Sequence, residues 1–164
     1  MMKGFYYPHR NAKNPINNAD IIYTPDVTVF KTDTSNPKLL DEKDWYGVDV
    51  ITCAAPNLRE RPSNRFNQNN GDHGVKVSDR ELLEIHKKRL TRILDVAALN
   101  NAEVVILGAF GCGAFQNKPE VVARAAKEVI TEYLHVFKTI EFAVYCSPRD
   151  DTNFRVFKRV LGMM

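Results

Sequence analysis

The stretch Leu107 to Glu120, LGAFGCGAFQNKPE, decides how this chain is read. It continues the apolar run Val104-Val105-Ile106-Leu107, flanked by Asn100, Asn101 and Glu103, which reads as a buried strand. Gly108, Gly111 and Gly113 follow, the last two alternating with Cys112. Asn117-Lys118-Pro119-Glu120 then reads as a helix start, with Asn117 as N-cap, proline in the first turn and glutamate at the third position. A strand, a glycine loop and a helix N-terminus in succession suit an anion. Glycines let backbone N–H groups approach an oxyanion, and the helix end adds unpaired donors and partial positive charge. The expectation is a phosphate-bearing ligand at Gly111 to Phe115, with a tight turn that binds nothing as the plain alternative.

Known glycine motifs do not fit this stretch. No Lys-Ser or Lys-Thr follows the glycines, so it is not a Walker A loop. The order Gly108, Gly111, Gly113 reverses the spacing of the dinucleotide fingerprint. A nucleophile elbow on Cys112 would need glycines where Phe110 and Ala114 stand.

The 164 residues suit one domain with one core. With 44% hydrophobic and 26% charged residues the chain is expected to fold as a globule. A formal charge of +3 admits an anionic ligand without marking a nucleic-acid surface. No apolar run reaches the roughly 20 residues that span a membrane, and Met1-Met2-Lys3-Gly4 lacks a signal peptide's apolar core. Cys53, Cys112 and Cys146 are odd in number and lack CxxC spacing. They read as free thiols in a reducing, cytoplasmic setting, with no metal site expected. Each lies at or past the end of an apolar run, where an open α/β sheet borders its ligand crevice.

Residues 1–19, rich in aromatic residues and asparagine, read as a surface arm or the remnant of something upstream, and residues 20–164 as the domain. Ile21-Ile22-Tyr23, a break at Pro25, and Val27-Thr28-Val29-Phe30 form a first strand pair. Trp45-Tyr46 is expected to cover the entry of the next strand, VDVITCAA (Val48 to Ala55), which reads as buried. Leu58 to Lys76, with Arg59, Arg61, Arg65 and His73, is long and polar, and reads as a ligand-facing flap or an insertion. Ser78 and Glu81 form a capping box for a helix whose stripe is Leu82, Leu83, His86, Leu90, Ile93, Leu94 and Ala97. His86 within it reads as a hydrogen-bonded core residue. A second helix, Lys118 to His135, turns Val122, Ala125, Ala126, Val129, Ile130 and Tyr133 inward. A strand from Thr139 to Cys146 and a closing helix holding Phe154, Phe157 and Val160 complete the chain. This alternation means a parallel-containing sheet with helices packed on it.

Taken together, YTPDVTVFK, VDVITCAAPN, IHKKRLTRIL and above all LGAFGCGAFQNKPEVVA resemble the microbial-type poly(ADP-ribose) glycohydrolases, a divergent bacterial branch of the macrodomains. The likeness runs from about Asp20 to the C-terminus. It implies a three-layer α/β/α fold, with a mixed sheet and helices on both faces, whose first strands and helices are not among these residues. It also implies that Gly111, Cys112, Gly113, Ala114 and Phe115 hold the ADP-ribose diphosphate, with Phe115 beside the distal ribose. Asn117 joins that ligand-binding set, and the rim with Cys146, Asn153 and Phe154 faces the adenine. No cofactor is implied.

The family's catalytic signature, a triple glycine followed by Gln-Glu-Glu, has no counterpart here: no two glycines are adjacent and Gln-Glu-Glu is absent. Cleaving a glycosidic bond needs a carboxylic acid to protonate the leaving oxygen. The other glutamates fall in caps, helices, strand entries or, for Glu42, a polar connection, which leaves Glu60 in the loop after Asn57, and no catalytic residue is assigned. Three readings stand. The chain is the ADP-ribose-binding C-terminal half of a glycohydrolase, able to self-associate through uncovered faces. It is a reader of ADP-ribose or another nucleotide without chemistry. Or it is a cysteine enzyme using Cys112 at a helix N-terminus.

Overall fold

Ser78 begins the longest helix because its side chain and that of Glu81 satisfy each other's backbone donors. Ser78 Oγ accepts from Glu81 N at 3.2 Å and Glu81 Oε2 accepts from Ser78 N at 3.4 Å. The computed structural model describes residues 15–63 and 73–162. In it this helix, α1, runs Asp79–Leu99 and ends at Asn100. Helix α2 is Pro119–Ile130, continued by a 3-10 turn at Thr131–Tyr133, and α3 is Thr152–Leu161. None of these is long and apolar enough to cross a membrane.

Strands β1 (Ile21–Val29) and β2 (Tyr46–Cys53) pair antiparallel, from Ile21 opposite Cys53 to Val29 opposite Tyr46. Pro25 does not divide β1 as the sequence suggested. The strand absorbs it as a bulge between Thr24 and Val27, with Asp26 at φ +53° and its N–H held by Asp49 Oδ1 at 2.9 Å. Trp45 lies before β2, tilted against Phe30 with centroids 6.1 Å apart, and donates Nε1–H to Leu40 O at 3.1 Å.

Strands β3 (Val104–Leu107) and β4 (Thr139–Phe142) pair parallel, Val104 opposite Thr139 and Leu107 opposite Phe142. β4 stops at Phe142 rather than Cys146, because beyond Ala143 the chain turns into the Ser147–Asp150 bridge and no longer has β3 beside it.

The core lies between β3 and the first two helices. Leu90, Ile93, Leu94 and Ala97 of α1 meet Val105 and Leu107 of β3 and Ala125, Ala126, Val129 and Ile130 of α2. Each large aliphatic side chain buried there stabilises the fold by about 2 kcal/mol. A second cluster joins Val122 and Ala123 of α2 to Val156 and Phe157 of α3, with Phe110 and Cys112 of the glycine loop against it. The macrodomain-like α/β arrangement is therefore present, with parallel and antiparallel pairing in two separate two-stranded pieces. The strands are less buried than their apolar runs suggested. Val104 and Ile106 are 54% and 65% exposed, and Val48 and Val50 are also exposed, because no described element covers that face.

One charged side chain sits inside this core. Arg89 is 3% exposed and donates Nη1–H to Ala54 O at 2.9 Å, and Nη2–H to Ile16 O at 2.7 Å and Asn17 O at 3.0 Å. It ties α1 to the end of β2 and to the segment entering β1. Asn17 Nδ2 adds a bond to Ala55 O at 2.8 Å, and Asn57 N another to Pro15 O at 2.7 Å. Of the expected arm, residues 1–14 with Phe5, Tyr6 and Tyr7 lie outside the described residues.

Replacing Arg89 with methionine keeps the aliphatic stem but leaves buried carbonyls without a donor. Arg89→Met is expected to lower the unfolding free energy by about 3 kcal/mol, read from the urea midpoint at unchanged m-value.

Candidate functional site

The glycine loop, residues 108–118, leaves β3 at its carboxyl end and enters α2. Gly111 has φ +78°, a conformation open to glycine at little cost. Its Cα also packs where a Cβ would come within 2.6 Å of Ala55 Cβ and 2.7 Å of Asn117 Nδ2. Gly113 is the opposite case: a Cβ there would meet nothing within 4 Å. Gly111 is glycine for the fold, and Gly113 borders open space.

Asn117 is not the N-cap its position suggested. Lys118 takes that place without a side-chain cap, and α2 begins at Pro119. Gln116, at φ +57°, turns the chain so that Asn117 faces inward at 2% exposure. Its Nδ2 donates to Pro56 O at 2.7 Å and Gly111 O at 3.0 Å, with Phe115 O at 3.3 Å sharing a proton. With the amide nitrogen so engaged, Oδ1 is an acceptor and His86 Nε2, 2.9 Å away, must donate to it. His86 is fully buried, its ring edge-on to Phe110 at 5.5 Å, and its Nδ1 has no partner. Burial holds its pKa below the usual 6.5, against the pull of the Asn117 bond. His86 is thus the hydrogen-bonded core residue its stripe position implied.

The loop also fastens to the segment after β2. Leu58 N donates to Phe115 O at 2.9 Å, and Asn57, fully buried, donates Nδ2–H to Pro62 O at 3.1 Å. Inside the loop Gly111 O accepts from Asn117 N and Gly113 O from Gln116 N, each at 3.0 Å. The carbonyls of Gly111, Gly113 and Phe115 are therefore engaged within the protein. Among the described residues, the N–H groups of Gly113, Ala114 and Phe115 donate to nothing, and Gly113 and Ala114 are exposed. A run of unclaimed donors on an open surface can hold an anion.

Cys112 does not suit nucleophilic catalysis. Burial, with the charge of Glu120 adding to it, pushes its thiol pKa up to about 12, and its Sγ lies 3.9 Å from Phe110 O. The three cysteines stay apart, Cys53 at the end of β2 and Cys146 exposed before the Ser147–Asp150 turn, and no metal-holding cluster forms among the described residues.

On α3, Asn153 is half-buried and Phe154 exposed, with Lys158 Nζ 5.8 Å above its ring. Val156 and Phe157, a turn further on, pack with Phe110 and Cys112, so α3 lies beside the loop. No hydrogen bond joins Cys146, Asn153 or Phe154 to Gly111–Phe115 among the described residues. Glu60 is exposed at the neck of the polar segment, where Gly74 N donates to Glu60 O at 2.8 Å. Arg65 of that segment lies outside the described residues.

Arg89 and Asn57 are the residues that sequence reasoning missed. Arg89 stands three residues after His86 and four before Ile93, on the buried stripe, so the spacing held a signal that its charge obscured.

No family model matches the chain, and neither does any curated protein. Solved structures do. Poly(ADP-ribose) glycohydrolase from Deinococcus radiodurans, in complex with ADP-ribose, is 29% identical, with a TM-score of 0.77 over 98% of this chain and 60% of that one. The glycohydrolase from Thermomonospora curvata is 26% identical, with a TM-score of 0.78 over 97% of this chain and 53% of that one. The same enzyme bound to the inhibitor ADP-HPD matches with equal identity and TM-score, over 96% and 55%. The resemblance read in the sequence holds in three dimensions. The chain spans about 60% or less of the length of these proteins.

The two loop glycines should separate in a stability measurement. Gly111→Ala is expected to cost about 3 kcal/mol, combining left-handed strain with overpacking against Ala55 and Asn117. Gly113→Ala should stay within about 0.5 kcal/mol of the wild type in the same urea titration.

His86 gives a pH dependence of definite sign. Its folded pKa lies below its unfolded value, so between the two the unfolded chain binds more protons and stability decreases as the pH is lowered. The melting temperature should drop as pH falls from 7 through the region below 6.5, and His86→Gln, which keeps a donor for Asn117, should flatten that part of the curve.

Proposed function

We propose that this chain binds ADP-ribose, seating the diphosphate on the Gly111 to Phe115 loop. The observation that carries the reading is the run of unclaimed N–H groups at Gly113, Ala114 and Phe115, beside a glycine that faces open space. A diphosphate needs several convergent donors and room for its oxygens, and backbone N–H groups supply both without a cation. The Deinococcus radiodurans protein of the same fold was crystallised with ADP-ribose, which gives the diphosphate its nucleoside. Cys146, Asn153 and Phe154 form the adenine side in this reading, the exposed ring of Phe154 offering a stacking face.

Glycosidic hydrolysis is proposed only when a carboxylic acid is supplied by residues beyond those described. A general acid must keep its proton near neutral pH. Asp150, one of two adjacent carboxylates between Cys146 and Asn153, is held below its usual range by bonds from Thr152, so it is ionised. Glu120 and Glu60 are exposed on the surface rather than set in a cleft where a glycosidic oxygen would be enclosed. The chain alone is therefore read as a binding module.

Calorimetry with ADP-ribose tests the loop. Wild type should bind and Gly113→Val should lose at least about tenfold in affinity, a loss of about 1.4 kcal/mol or more. Equal affinities would remove the loop from the site. The same preparation, incubated with poly(ADP-ribose), should release no ADP-ribose. Release that vanishes in Glu60→Gln would show that the chain carries its own acid.

A further inference from the structure

Strands β2 and β3 each use one edge, β2 for β1 and β3 for β4, and among the described residues leave the other without a strand. Those two free edges line one cavity of about 710 Å³, floored by Leu90, Ile93 and Ala97 of α1. The strands also point the same way. Past its end β2 places Ala55 against Gly111 and Pro56 O on Asn117 Nδ2, so its carboxyl end meets the carboxyl end of β3 on one rim. Two parallel strands joined by a helical crossover belong to one sheet. Here they stand in one sheet's arrangement with a gap between them.

Of the edges beside the gap, β2 carries one charge, Asp49, which is bonded to Tyr23 and Asp26 of β1, and β3 lacks every device that blunts an exposed strand. Proline and a bulge occur in β1, on the far side of β2. β3 is Val104-Val105-Ile106-Leu107, with no lysine, proline or bulge. Val48, Val50, Val104 and Ile106 are apolar and exposed on the side away from α1. An occupant would meet α1 on one face and these side chains' neighbourhood on the other, so it needs a run apolar on both faces, as interior strands have.

We propose that this cleft is a docking groove for a polypeptide segment that adds at least one β-strand between β2 and β3 and joins the two pieces into one sheet. The occupant is the counterpart of the part of the solved glycohydrolases that this chain does not span. Those proteins are matched over 98% of this chain but 60% of their own length, so both sheet pieces superpose together and the remainder of the partner fold is unaccounted for. A strand docked parallel to β2 and β3 would bring its carboxyl end to the rim that carries the glycine loop. Docking stands on the fold, whatever ligand that loop takes.

The test supplies that remainder as a separate polypeptide. The part of the Deinococcus radiodurans glycohydrolase outside the match is co-expressed with the full chain, and the corresponding Thermomonospora curvata part is used in parallel. A one-to-one complex by light scattering is expected with at least one of them, with amide exchange slowed at least about tenfold at residues 104–107 and 47–53. The double variant Val104→Lys with Ile106→Lys alters exposed positions, so it should keep the circular dichroism of the wild type and lose the complex. Gly113→Val should keep it. Absence of a complex with both parts, protection elsewhere, or a homodimer through these edges that neither part displaces would overturn the proposal. So would a complex that survives the double variant. Loss of ADP-ribose binding with docking intact would count against the loop reading alone.

Discussion

The primary amide of Asn117 joins three segments at one buried point: the turn after β2, the glycine loop and α1. Its donors reach Pro56 O and Gly111 O, and its oxygen accepts from His86; Asn117, Pro56 and His86 are buried and Gly111 half-buried. A buried carbonyl without a donor costs about 1–3 kcal/mol, so the loop after β2, the glycine loop and α1 are each penalised for leaving this arrangement. No aliphatic residue could substitute, and a carboxylate would present acceptors to acceptors. The curvature of the glycine loop follows from this one constraint.

That curvature sorts the loop's polar groups by direction. Carbonyl oxygens of Gly111, Gly113 and Phe115 are consumed by Asn117, Gln116 and Leu58, while the N–H groups of Gly113, Ala114 and Phe115 have no acceptor among the described residues. The protein thus presents partial positive charge without placing a lysine or arginine there. The nearest buried cation, Arg89, is committed to three carbonyls at the opposite wall of the same junction. Fixed dipoles of this kind need no reorganisation when an anion arrives.

Local chemistry was legible in the sequence and long-range satisfaction was not. The Ser78 capping box, the α1 and α2 stripes and the glycine loop all depend on residues a few positions apart. Asn117 misled because Asn-Lys-Pro-Glu obeys the capping rule, whereas the pull on its side chain comes from Pro56 and His86, 61 and 31 residues away. Arg89 misled for the same reason: its acceptors at Ile16 and Asn17 are 73 and 72 residues distant. The apolar runs of β2 and β3 were right about the strands and wrong about their burial, since a run records what a strand can be covered by rather than what covers it. As for the site, Cys112 lies within the loop that was read, but its burial raises the thiol pKa where proximity to a helix end suggested the reverse.

The neck at Glu60 and Gly74 gives the rim a tolerance for change. The chain leaves and re-enters through one backbone bond of 2.8 Å, and Gly74 fits against Arg59 O where a Cβ would come within 2.7 Å. Whatever the stretch between them contains, its ends are fixed to the same spot. Doubling the length of a closed loop costs only about 0.6 kcal/mol in closure entropy. Beyond Pro62, whose carbonyl holds the buried Asn57 amide, insertions, deletions or a wholly different sequence can therefore be exchanged here, which makes it the place where a lineage could vary what the rim touches while keeping the rim itself.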